Sequence, residues 1–189
     1  MRRPAAVRVA FAGFLLGILL ACGGGGGGGD KGVVNLVQCG GATAAAPNQV
    51  ALGCPAQGVD SIAVTVHLGG PTTTDIYGLQ FDLVFDPAVV QFEPQAIEGS
   101  FLNRDGAATI LQAGVMQGDP GRLIVAIARQ GVPNGLQATN VDQVVMLLSF
   151  RRVAAGSTTL SFENAKVVDS SLQTIPQITF GTALTLTLD

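Results

Sequence analysis

The feature that most constrains this chain is a two-residue alternation of apolar and polar side chains. Ile62, Val64, Val66 and Leu68 alternate with Ala63, Thr65 and His67, and Leu79, Phe81, Leu83 and Phe85 alternate with Gln80, Asp82, Val84 and Asp86. On an extended backbone, successive side chains point to opposite faces, so each run presents one apolar face to a core and the other to water. That is the pattern of half-buried strands in an antiparallel sheet. Further along, Val144, Met146, Leu148 and Phe150 share one parity, and Ile178, Phe180, Leu184, Leu186 and Leu188 share another. Turn clusters separate these runs: Asn103-Arg104-Asp105-Gly106, Gly118-Asp119-Pro120-Gly121 and Pro133-Asn134-Gly135. No segment sustains a helical period. The spacing predicts an all-β chain of about nine strands in an antiparallel two-sheet sandwich, and it argues against an α/β enzyme fold.

One strand departs from the alternation. From Leu123 to Ala128 both parities are apolar, with Leu123, Val125 and Ile127 on one side and Ile124, Ala126 and Ala128 on the other. A sandwich strand buries a single face. Either a loop covers the second side, or an apolar patch lies exposed for a partner.

The amino terminus reads as an address. Arg2, Arg3 and Arg8 precede an apolar run from Val9 to Leu20, which suits a signal-peptide core and is short for a membrane span. Leu19-Leu20-Ala21-Cys22 resembles the lipobox at which bacterial lipoproteins are cleaved and acylated on cysteine. This divides the chain into a signal peptide (1–21), a lipidated Cys22 with a flexible glycine-rich linker (22–32), and one folded domain (33–189). Several acyl chains would hold the protein stably at a membrane. The seven glycines Gly23 to Gly29 would act as a flexible tether with a span of about 15 Å. Position 23 is Gly rather than the aspartate that favours inner-membrane retention, so the expected location is the outer membrane, facing the periplasm or the cell surface.

Removing the signal takes away three of the ten basic residues and leaves seven against thirteen acidic ones, a balance of −6. An acidic domain without a basic cluster is a poor nucleic-acid binder, since neutralising phosphates supplies most of that affinity. With Cys22 assigned to lipid, Cys39 and Cys54 remain as an even pair in an oxidising compartment, where a disulfide is favoured. A metal or redox site there would lack a CxxC spacing and a nearby histidine.

Catalysis finds little support. His67 is the sole histidine, placed at solvent parity with no nearby serine, cysteine or carboxylate motif. Asp82 and Asp86 share a strand face, but four residues of strand separate them by about 13 Å. Paired glycosidase carboxylates stand roughly 5–9.5 Å apart. The mature chain carries no HExxH, GxSxG, Walker or GxGxxG pattern. The expectation is a non-enzyme without cofactor or metal.

The run Tyr77-Gly78-Leu79-Gln80-Phe81-Asp82-Leu83-Val84-Phe85-Asp86-Pro87-Ala88-Val89-Val90 resembles the cohesin strand that ends in an aromatic-Asp-Pro turn and leads into a short aliphatic strand. Gly121 to Ala126, Val145 to Phe150, Ala155 to Ala165 and Val167-Val168-Asp169 resemble later cohesin strands in the same order. The resemblance spans 33–189 and extends to the wider carbohydrate-binding-module superfamily. It implies a nine-stranded jelly roll with a flat partner-binding face. In cellulosomes the partner is a dockerin, a calcium-loaded module on an enzyme, which would link the chain to polysaccharide breakdown. The spaced acidic calcium loop of a dockerin is absent here, so this chain would be the receptor. Where type I cohesins place an outward Asn and Asp, this chain has Gly78 and Gln80, a departure from the type I recognition pattern that puts that mode in doubt. Alignment with cohesins puts Gln80, Asp82, Val84, Val125 and Ile127 on the partner-facing side.

Two other readings stay open. A carbohydrate-binding module would dock sugar rings on exposed aromatics. The chain has no Trp and one Tyr, and most of its mature phenylalanines sit at core parity, leaving Phe101 in a polar loop as the natural exposed ring. Alternatively, the domain is a structural subunit of an envelope or extracellular assembly.

Overall fold

The computed structural model describes residues 37–41, 44–54, 61–139 and 141–189. The assigned signal peptide, Cys22 and the glycine linker lie outside these residues. The described chain is all-β, with eleven strands: β1 Val37–Gly41, β2 Gln49–Gly53, β3 Ser61–Gly69, β4 Gly78–Val84, β5 Val90–Glu98, β6 Ala108–Met116, β7 Asp119–Gln130, β8 Asp142–Arg152, β9 Gly156–Val168, β10 Thr179–Phe180 and β11 Leu184–Leu188. They form a six-stranded sheet in the order β1-β11-β9-β4-β7-β6 and a five-stranded sheet in the order β10-β2-β3-β8-β5. Every pairing is antiparallel except the two-residue contact of β10 with β2.

The sandwich is as expected, while the strand count of nine is not. The segment from Ile178 to Leu188 divides into β10 and β11, which lie in different sheets. β1 reads Val-Gln-Cys-Gly-Gly and has too few apolar positions to show an alternation. The predicted parity of Val144 also fails. Val66 pairs with Met146 but His67 pairs with Val144, so Val145 is an extra residue on β8. This bulge turns Val145 into the core and Val144 away from it.

The inward parities of the two sheets meet in one core. Leu79, Phe81 and Leu83 of β4 pack with Leu123, Val125 and Ile127 of β7 and face Ile62, Val64, Val66, Met146, Leu148 and Phe150 of the other sheet. Edge-to-face aromatic contacts join Phe85 to Phe150 at 5.3 Å and Phe81 to Phe162 at 5.0 Å. The Asp86 turn closes the end of β4. Its carboxylate accepts from Ala88 N at 2.9 Å, and its own amide donates to Thr158 Oγ1 at 2.8 Å.

Cys39 and Cys54 are joined as a disulfide, with Cα atoms 6.3 Å apart. Cys39 belongs to the six-stranded sheet and Cys54 follows β2 of the other, so the bond staples the two layers together at one end.

Candidate functional site

The outer face of the six-stranded sheet is built in transverse rows set by register. Ile110 of β6 stands opposite Ala128 of β7, and Ala128 opposite Gly78 of β4; the next rows are Gln112-Ala126-Gln80 and Gly114-Ile124-Asp82. On the far side of β4, Gly78 pairs with Val168 and Gln80 with Lys166 of β9. Small residues at Gly78, Ala126 and Ala128 therefore form a low floor between the taller side chains of Ile110 and Val168. The result is an open, mainly apolar groove of about 390 Å³. A Cβ at Gly78 would stand 2.7 Å from the Ile127 carbonyl oxygen, so glycine is what lets β4 and β7 approach here.

The other end of this face is charged. Arg122 reaches Asp82 at 2.9 Å, Glu163 at 2.8 Å and Asp119 at 3.2 Å, and Asn164 donates to Asp82 at 2.7 Å. Hydrogen bonds to Glu163, Asp82 and Asp119 raise the Arg122 guanidinium above its ordinary pKa and keep it charged. A bulge in β9 brings Glu163 and Asn164 into the cluster: Gln80 pairs with Lys166 but Asp82 pairs with Glu163, and Asn164 adopts a positive φ of 47°.

Of the residues expected to face a partner, Gln80, Asp82 and Val84 lie on this outer face. Val125 and Ile127 do not. They are 0% and 1% exposed and pair with inward Phe81 and Leu79, so they belong to the core. The strand is apolar on both sides, and its sequence cannot say which parity is inward; the register with β4 decides it. The outward residues are Ile124, Ala126 and Ala128, and Ile124 is 48% exposed. Among the described residues no loop covers them. The exposed ring expected of Phe101 is absent too: Phe101 is 1% exposed, and the guanidinium of Arg104 lies 5.6 Å from its centroid.

His67 is not isolated. Its Nδ1 lies 3.0 Å from an Asp142 carboxylate oxygen and its Nε2 lies 2.5 Å from Thr65 Oγ1. The antiparallel pairing of β3 with β8 supplies Asp142, which is 75 positions away in sequence and could not be read as a neighbour. Thr65 is buried and its hydroxyl is packed beside Gly53, so the trio ties strands together rather than presenting a nucleophile. Asp82 and Asp86 are engaged separately, by Arg122 and by the turn. Among the described residues, no group of three or more His, Cys, Asp or Glu side chains is placed to hold a metal.

No protein-family model matches the chain, and no curated protein matches it by sequence. Solved structures do match. The second type II cohesin module of the adaptor ScaA scaffoldin of Acetivibrio cellulolyticus superposes with a TM-score of 0.57 at 15% identity, over 71% of this chain and 86% of that one. The fold is cohesin-like. A type II cohesin in a cohesin–X-dockerin complex from the same organism gives 0.55 at 16% identity, over 70% of this chain and 96% of that one. The sixth cohesin of its scaffoldin B, in complex with a Cel5 dockerin, gives 0.51 at 19% identity, over 71% and 95%. The cohesin-like architecture thus extends across nearly the whole of those modules.

Proposed function

We propose that this cohesin-like domain is a non-catalytic receptor for a dockerin-like protein module, held at the outer membrane through lipidated Cys22. The observation that carries the reading is the open apolar surface made by the floor of Ala126 and Ala128 and the exposed side chains of Ile110 and Ile124, on a sheet face bordered by Lys166 on β9 and ending in the Arg122 cluster. Cohesin modules of the same fold are found in complex with dockerins. One sheet face can supply the roughly 800 Å² per partner that a stable interface uses. A sugar platform has no comparable support, because the ring expected to build it is buried.

The test is an affinity pull-down with the protein from envelope and secreted fractions, with and without EDTA. A specific partner lost on calcium removal, and lost again in Ala126→Glu, supports the reading. Retention of polysaccharide without protein overturns it.

A further inference from the structure

β6 is an outer strand of the six-stranded sheet, and among the described residues it pairs with β7 alone. Edge strands carry unpaired N–H and C=O groups, and proteins guard them with charge, proline, bulges or short length. The other long edge is guarded in this way. β5 contains Glu93, Pro94 and Glu98, and its pairing with β8 is broken by a bulge between Phe92 and Ala96. β10 is two residues long, and β1 only five. β6 is less defended: its nine residues, Ala108 to Met116, include no charge and no proline, and the one irregularity in its pairing with β7 falls at its last residue, between Val115 and Met116. Four of the eight large exposed apolar side chains among the described residues, Ile110, Val115, Met116 and Ile124, lie on it or beside it on β7.

The sequence of β6 also fits itself. In a two-fold antiparallel pairing centred on Gln112, Ile110 of one strand faces Gly114 of the other, Ala108 faces Met116, and Gln112 faces its own copy. Each large outward side chain meets a small one. A Cβ at Gly114 would have nothing within 4 Å, so the space Ile110 needs is open. A two-fold axis sets any charge at the central position against its own copy, and like charges directly opposite are destabilising. β6 escapes that penalty because it is uncharged.

We propose that two copies of this chain associate through their β6 edges, joining the six-stranded sheets into one continuous sheet about a two-fold axis at Gln112. The contact is isologous and uses the uncharged, proline-free edge of both copies, so it closes at a dimer. It lies beside the groove and leaves the two groove faces open on the same surface, so a dimeric receptor would engage two partner modules.

Sedimentation velocity of the full chain in detergent tests this. The wild type should sediment as a dimer, and Gln112→Lys and Gln112→Glu should each sediment as a monomer with an unchanged thermal transition. Mixing the two variants should restore the dimer, because opposite charges then face each other across the axis. Gln112→Cys should give a disulfide-linked dimer on oxidation, while the exposed Ser61→Cys on the other sheet should not. A monomeric wild type at the highest soluble concentration would overturn the proposal and leave the edge to a strand of another protein. A dimer that persists in Gln112→Lys would place the interface elsewhere and overturn it as well.

Discussion

Arg129 holds Asp105 through two parallel hydrogen bonds, Nη1 at 3.1 Å and Nη2 at 2.6 Å. The same guanidinium donates to the carbonyls of Leu102 at 2.5 Å and Asn134 at 3.0 Å. Arg129 is buried, and it fastens the loop before β6 and the loop after β7 to the same end of the sheet. Planar guanidinium geometry suits this work better than an ammonium would.

Arg129→Met should therefore strand two carbonyl acceptors and cost about 2–4 kcal/mol. Chemical denaturation should show a lower midpoint with little change in slope, and Arg129→Lys should recover only part of the loss.

The same pair predicts a pH dependence. The hydrogen bond from Arg129 holds the Asp105 carboxyl below its ordinary value. Between the unfolded value of about 3.9 and the lower folded one, the unfolded chain binds more protons, so stability falls as pH falls. The contribution is fully present above about pH 4 and disappears as pH drops through the folded pKa. Thermal melts from pH 6 to pH 2 should show a shallower acid loss in Asp105→Asn than in the wild type.

Opposite parities of β7 should respond differently to charge. Val125→Asp places a carboxylate in the core and should cost about 3 kcal/mol or more, seen as loss of cooperative folding. Ala128→Glu, one strand face away, should leave the melting temperature within a few degrees while abolishing partner retention. If both variants unfold the domain, the outward assignment of Ala128 is wrong.

Gly53 tests the histidine trio. A Cβ there would lie 2.6 Å from His67 Nε2 and 2.8 Å from Thr65 Oγ1. Gly53→Ala should displace the imidazole and destabilise the domain by about 1–3 kcal/mol. In a His67→Ala background the same change should cost less, and a double-mutant cycle would measure the coupling.

Reduction should weaken the layer staple. Loss of the Cys39–Cys54 bond, which spans a separation of 15 residues, should lower stability by about 3 kcal/mol on chain-entropy grounds. Melting with and without reductant, compared with the Cys39→Ser/Cys54→Ser double variant, checks this.

The alternation from Ile62 to Leu68 and from Leu79 to Phe85 determined the strands, their inward faces and the sandwich class, because a period of two is a local property of an extended chain. With Cys22 set aside by its lipobox-like context, the two cysteines left could pair only with each other, as Cys39 and Cys54 do. The site was legible only in part. Gln80, Asp82 and Val84 could be placed outward because apolar neighbours flank them, but Leu123 to Ala128 is apolar on both sides and its own sequence contains no choice between them. Register with β4 made that choice, burying Val125 and Ile127 and exposing Ile124, Ala126 and Ala128. The same holds for contacts between distant residues: Asp142 reaches His67, Asp105 reaches Arg129 and Glu163 reaches Arg122 only when strands pair and loops fold back. Local pattern sets which way a side chain points, while strand pairing across the sequence sets what it meets.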